Sequence, residues 1–563
     1  MQRTSIVSVL VLLLTVGCRD LRLDDRKPPE SVATELASDA LEVPPIGAYS
    51  RKISGASPEA QTWFDQGLRY TYGFNQDAAA ACFGRAALAS PECPMAWWGI
   101  AHVLSVDINN GKVSEQEAER ATVAVGEAMR LLPRATETER KLIRATRLRT
   151  ASPAPTDRKE LDKAYAVAMQ EAWAAAPEDA DLGALFAESL MILQPWDYWS
   201  ADHEPVGRAL EIVSTLEKVI ALNPDHPGAH HFYIHAIESS PNPARGIPSA
   251  DRLGKLMPGS GHLVHMPSHI YINVGRYADA VTVNESASTL DAAYFRAYGK
   301  PTFYRIYFLH NLHFAAYAGM MEGRKELAIR YVQRMEDEIP DGLLRQYAGF
   351  IDGQIGSRMH VYVRFGMWQE ILAVPEYPEY RKASRALRLY ARTVALANLG
   401  RTKEARAELA RFDQAAAATP KEWTVHQNPS EDVYRLARRV ARAEILWREG
   451  KPKESIALLR EATKLEQDLV YTEPPAWMLP VRHALGAIQL ASGDAGGAAA
   501  TYREDLKKNK ENAWSLLGLH QALVTLGKPT EAAALKPRVD SAWARADIEP
   551  PASCYCGVVQ GGR

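Results

Sequence analysis

The sequence predicts an all-α solenoid of about eleven helical hairpins, and three observations predict it. First, Trp63, Gly67, Tyr70, Ala79, Phe83, Ala86 and Pro91 fall at relative positions 4, 8, 11, 20, 24, 27 and 32 of one unit. A bulky-small pair on one helix there meets Ala and an aromatic on the next. Second, a turn recurs in which Gly is followed five residues on by a small residue: Gly275 to Ala280, Gly323 to Ala328, Gly400 to Ala405, Gly450 to Ser455, Gly493 to Ala498 and Gly527 to Ala532. Glycine ends a helix cheaply at positive φ, and the small residue lets the following helix come close. Third, Pro133, Pro177, Pro224, Pro258 and Pro340 stand near unit ends, where a proline closes a helix.

The spacing of the first unit resembles the 34-residue tetratricopeptide pattern. That resemblance spans residues 58–545 and implies a right-handed α-α superhelix with a concave groove. A repeat scaffold does not by itself name a function, so the polar residues placed on it must.

The flanks of the repeat region read differently. Arg3 precedes an apolar run from Ile6 to Val16, which is too short for a permanent membrane span. Leu14-Thr15-Val16-Gly17-Cys18 then resembles the cleavage and lipidation box of bacterial lipoproteins. The resemblance implies a signal peptide over 1–17, acylation of Cys18 and export to the cell envelope. Arg19, where inner-membrane retention would show Asp, points to the outer membrane. Residues 18–57 mix charge with Pro28, Pro29, Pro44 and Pro45 without helical period and read as a flexible tether. Residues 546–563 read as a C-terminal tail.

Composition suits a large folded body: 563 residues, 47% hydrophobic and 24% charged. The formal net charge of −2 gives no reason to expect nucleic acid as a partner. Beyond Cys18 there are Cys82, Cys93, Cys554 and Cys556, which allow several disulfide pairings.

Chemistry concentrates in the histidines. Of fifteen, nine lie between His230 and His360. On the repeat frame His231, His235 and Glu238 take positions 5, 9 and 12 of one unit, and His262, His265 and His269 take 2, 5 and 9 of the next. His310 and His313 take positions 2 and 5 of a third unit, and His360 position 9 of a fourth. These positions form one stripe on the first helix of each unit. In the tetratricopeptide family that stripe lines the concave groove, so residues 230–360 line it with imidazoles.

Histidines three or four apart on a helix lie about 5–6 Å from one another at Cβ, close enough to share a metal ion. Neighbouring packed helices lie about 8–10 Å apart, so adjacent units converge as well. His231, His235, His265 and His269 are the leading ligands, with Glu238, His262, His310, His313 and His360 as further candidates. Imidazole suits a divalent transition metal such as zinc, copper or iron. Were there catalysis, Glu238 or His313 would move the proton. Tyr317, Asn311 and Arg364 are placed along the groove beside them.

The strings His230-His231-Phe232-Tyr233-Ile234-His235-Ala236-Ile237-Glu238, His265-Met266-Pro267-Ser268-His269-Ile270-Tyr271 and His310-Asn311-Leu312-His313 resemble a group of bacterial tetratricopeptide proteins and carry no known activity with them. Three functions stay open: a lipid-anchored metalloprotein, a scaffold binding a peptide in the groove without metal, and a receptor for a small ligand. No hydrolase, phosphate-loop or dinucleotide motif adds a fourth.

Overall fold

The computed structural model describes residues 27–41, 45–300 and 302–557. The signal peptide and Cys18 lie outside the described residues. From Pro58 to Trp543 the chain is a succession of antiparallel helix pairs, beginning with Pro58–Tyr72 against Gln76–Ala89 and ending with Ala513–Thr525 against Pro529–Trp543. Among the described residues the only strands are the two-residue pair Thr424–Val425 and Asn428–Pro429. No described helix is long and apolar enough to cross a membrane.

The packing logic read from the first unit is present. A Cβ on Gly67 would lie 2.8 Å from the Phe83 ring, so glycine is what lets the two helices meet there. The six turn glycines all take positive φ, from 68° at Gly527 to 90° at Gly493. Ala280, Ala328, Ala405, Ser455 and Ala498, five residues on, are fully buried.

The solenoid does not stay an open trough, because its C-terminal hairpins fold back onto its middle. Trp514 Nε1 donates to Met320 O at 2.8 Å, and Asp547 accepts from Lys325 N and Glu326 N at 2.6 and 2.9 Å. Gly323 fits against the Trp543 ring with no room for a side chain. The irregular stretch 468–480 and the short β-hairpin roof what remains of the concave face.

The described segments flanking the repeats pack against them. Residues 27–41 and 45–57 are not a tether: Pro29–Ala37 is a helix that buries Val32, Ala33 and Ala37 against Gln76–Ala89. Arg51 then forms ion pairs with Asp179 and Asp181 at 2.8 and 2.7 Å. A nine-residue helix carries too few turns for its apolar face to stand out among prolines and charges. The tail likewise packs down. Trp447 Nε1 donates to Cys556 O at 2.8 Å, and Ser553 Oγ donates to His483 O at 3.0 Å. Cys554 pairs with Cys556 in a disulfide, while Cys82 and Cys93 are buried thiols.

Candidate metal centre

The helix Pro227–Ile237 starts on a His226 cap, whose Nδ1 accepts from Ala229 N, with Pro227 in the first turn. Its Gly228 lies against the Tyr72 ring with no space for a Cβ. That close approach brings the Tyr72 carbonyl to 2.8 Å from His231 Nδ1. The next unit is built differently from the continuous helix its frame implied. Gly261–His265 ends at Met266, and a second helix runs Pro267–Asn273. Pro267 has no N–H and its ring collides with the carbonyl four residues back, which breaks the helix there. Gly261 in turn leaves room for Asp291, which accepts from Tyr304 Oη at 3.0 Å while Tyr304 Oη accepts from His262 N at 3.2 Å.

These elements bring six imidazoles and a carboxylate together. His231 Nε2 lies 3.2 Å from His235 Nε2 and 3.1 Å from His262 Nε2. His265 Nε2 lies 3.0 Å from His269 Nε2, and the His310 ring is 4.8 Å from that of His265 and 5.5 Å from that of His269. His231, His235 and His262 therefore make one three-imidazole set, His265, His269 and His310 another, and His235, Glu238 and His269 bridge them. Each set lies on an aromatic ring, Phe74 at 4.4 Å from His231 and Phe314 at 4.7 Å from His269.

Two of the outward nitrogens have hydrogen-bond partners, while the Nδ1 atoms of His235, His262 and His269 have none among the described residues. His231 Nδ1 faces a carbonyl, which only accepts, so this nitrogen carries hydrogen. His265 Nδ1 faces Asn284 Oδ1 at 2.6 Å, and Asn284 Nδ2 donates to Ala280 O, which fixes the amide's orientation. His269 Nδ1 sits 2.7 Å from Glu238 Oε2 and 2.8 Å from Glu473 Oε2, close but poorly aligned for hydrogen bonding. Glu473 is held by Asn273 Nδ2 and Tyr471 Oη.

With protons alone, the arrangement is frustrated. The single lone pair of His231 Nε2 would serve two N–H donors, and His235 would turn a bare Nδ1 toward Glu238 Oε1 at 3.6 Å. A cation where the Nε2 atoms converge lets all three rings carry hydrogen on Nδ1.

Electrostatics favour the neutral form in most of these rings and the charged form in His269. Burial, reinforced by the neighbouring imidazoles, pushes His231, His262, His265 and His310 well below the ordinary histidine range. His269 goes the other way: burial opposes its charge, but Glu238 and Glu473 outweigh it and lift it to about 10. Glu238 is buried too, yet His269 and His235 hold it below the usual carboxylate range.

A cavity of about 130 Å³ opens on the centre. Trp196, Phe303, Ile306, Tyr307 and Phe350 wall it, with Asn109, Gln354, His426 and Gln427 as polar contacts. Trp196, in a left-handed conformation at φ 65°, meets the His235 ring edge-on at 4.8 Å.

Other candidates fall elsewhere. His313 Nε2 faces Met478 Sδ at 3.1 Å and not the cavity, so the geometry does not place it for proton transfer there. His360 packs on Trp477 at 4.6 Å. Asn311 is no groove residue: it is fully buried and donates to Asp291 at 2.7 Å. Arg364 is also removed from the groove, bonding His483 Nδ1 at 2.9 Å and lying over Trp514. Tyr317 lines a second cavity beside Glu466 and Trp477. Arg364 left the expected stripe for the returning C-terminal hairpins, His313 and His360 meet the 468–480 stretch, and Asn311 turns toward the neighbouring helix Tyr277–Tyr298. Sequence reasoning missed Glu473, which reads only as the start of a proline-rich helix approach, and Asn284 and the Tyr72 carbonyl, which carry no local signal.

No protein-family model matches the chain, and no curated protein does. Among solved structures it is similar to a human IFIT1 dimer with m7Gppp-AAAA, at 11% identity and TM-score 0.32, over 92% of this chain and 96% of that one. The Cut9–Hcn1 hetero-tetramer of APC/C gives 13% identity and TM-score 0.29 over 87% and 77%. Yeast Tom70 gives 12% and 0.28 over 86% and 97%. The chain is a helical-repeat solenoid, as its own hairpins and positive-φ turn glycines state.

Proposed function

We propose that this chain is a metalloprotein holding roughly two transition-metal ions, one on each three-imidazole set, with Glu238 between them. The observation that carries the reading is the convergence of Nε2 atoms at 3.0–3.2 Å, with the Nδ1 atoms of His231, His265 and His269 facing a carbonyl, an amide oxygen and carboxylates. That outward partnering is how proteins orient imidazole ligands. Zinc, copper and iron all fit the donor set.

Three protein ligands per ion leave coordination positions toward the cavity, where bound ions would activate water or oxygen. Around that point the residues divide the work. Glu238 reaches both sets and lines the cavity, so it is the group to take or return a proton. Trp196, Phe303 and Phe350 exclude bulk water, and Asn109, Gln354 and Gln427 orient a bound molecule. A peptide-scaffold role has less support, because the roofed cavity suits a small molecule. The Leu14–Cys18 run supports placing this centre in the envelope, on a lipid anchor at Cys18 in the outer membrane.

The test is elemental mass spectrometry of chain 19–563, purified without chelator or histidine tag, beside a His265→Ala/His269→Ala variant. About two ions per chain are expected in the parent, and at least half of them lost in the variant. A parent without metal after reloading with zinc, copper and iron would overturn the reading and leave a metal-free ligand receptor.

A further inference from the structure

Beyond the six-imidazole centre, a second cluster of buried nitrogens has no partner that satisfies it. His313 is 1% exposed; its Nδ1 finds no hydrogen-bond partner among the described residues, and its Nε2 meets only the thioether of Met478 at 3.1 Å. A thioether is a weak acceptor, so this contact does little for a buried N–H. His426 stacks on His313 with ring centroids 5.3 Å apart and planes 10° from parallel, and its Nε2 is likewise buried without a partner among the described residues. His360, 1% exposed, is the third, with both ring nitrogens in that condition. Leaving such groups desolvated and unpartnered costs free energy, so the arrangement calls for an explanation.

The chain spends further free energy to build it. His426 sits at the tip of the Thr424–Pro429 hairpin at φ 53°, a left-handed conformation uncommon for a residue with a side chain. The hairpin stays seated because Val425 fills the space left by Gly353. From the opposite side the 468–480 stretch delivers Met478 to His313 and Trp477 to His360.

Among the described residues no carboxylate hydrogen-bonds or pairs with His313, His360 or His426. A divalent ion there would stay uncompensated, whereas a monovalent ion costs much less to bury. Imidazole with thioether is also the donor set that selects copper(I).

We propose that His313, His426 and Met478, with His360 close by, form a copper(I) site separate from the six-imidazole centre. It opens on the same cavity through His426. No step of this proposal depends on the first centre being occupied.

The test is anaerobic copper(I) titration against a competing chromophoric chelator. It compares the parent chain with His265→Ala/His269→Ala, Met478→Leu and His426→Gln variants, each first checked for folding by circular dichroism without copper. The expected result is a copper(I) ion that survives the His265/His269 change and binds at least about tenfold more weakly after Met478→Leu or His426→Gln. X-ray absorption of the copper-loaded His265→Ala/His269→Ala chain should show a sulfur neighbour, absent after adding Met478→Leu. Nitrogen neighbours alone, or copper(I) affinity unchanged by both Met478→Leu and His426→Gln, would overturn the proposal. Loss of all copper(I) in the His265/His269 variant would do the same. None of these outcomes bears on divalent metal at the first centre, which the elemental analysis reads independently. Should Met478→Leu not fold, His426→Gln on the hairpin tip decides.

Discussion

Two groups of buried imidazoles lie beside one cavity, which the second meets only through His426, and they differ in their company. The six-imidazole centre has Glu238 and Glu473 against His269, and the outward nitrogens of His231 and His265 are tied to a carbonyl and an amide. The His313 group has a thioether, an aromatic neighbour and no acid. On the proposed reading the same side chain would meet different cations according to what surrounds it: carboxylates compensate a doubly charged ion, while a neutral, soft pocket does not. Local charge, more than histidine count, decides which metal chemistry a helical repeat can host.

The comparison breaks most readily at the first centre. His265→Ala/His269→Ala should abolish divalent metal at that set and leave copper(I) binding intact, read by elemental analysis and chelator titration; equal loss of both would merge the two sites into one. Next in size, Glu238→Gln should weaken divalent metal about 10–100-fold, as removal of an orienting carboxylate does, with copper(I) affinity unmoved.

A smaller effect concerns the scaffold of one site alone. Burial pushes Asp291 to about 7, with Tyr304 and Asn311 opposing in part. An acid raised on folding stabilises least where it must ionise, so its contribution is full below the ordinary value near 3.8 and is lost as pH rises through about 7. Asp291→Asn should remove that loss, gaining on the order of 3 kcal/mol at pH 8 relative to pH 4 in denaturant unfolding. A parallel pH dependence in parent and variant would show that the acid is not held neutral. Smallest, Gly228→Ala should cost about 2 kcal/mol by overpacking Tyr72, and should shift its carbonyl away from His231. The expected readings are a lower melting temperature and weaker divalent metal, again without change in copper(I).

Much of this was legible in the sequence, for a physical reason. Helical hairpins write their packing at short range, so the turn glycines and the His231/His235 and His265/His269 spacings could be read directly. Both pairs do bring their Nε2 atoms together. What could not be read is what closes the superhelix. Tyr72 meets His231 across 159 positions and Met478 meets His313 across 165, and no periodicity carries such contacts. Glu473 and His426 lie in stretches with no helical frame at all, and so had no predicted face. The same closure drew Arg364 off the groove and narrowed an expected trough to a partly covered cavity.

The central claim is that two ions sit between these imidazoles, and anomalous diffraction from crystals of the metal-loaded chain, collected on both sides of the metal's absorption edge, tests it most directly. The account predicts one peak among the Nε2 atoms of His231, His235 and His262 and another among those of His265, His269 and His310. Fully loaded crystals with no peak between those rings, or with peaks only at surface carboxylates, would contradict it.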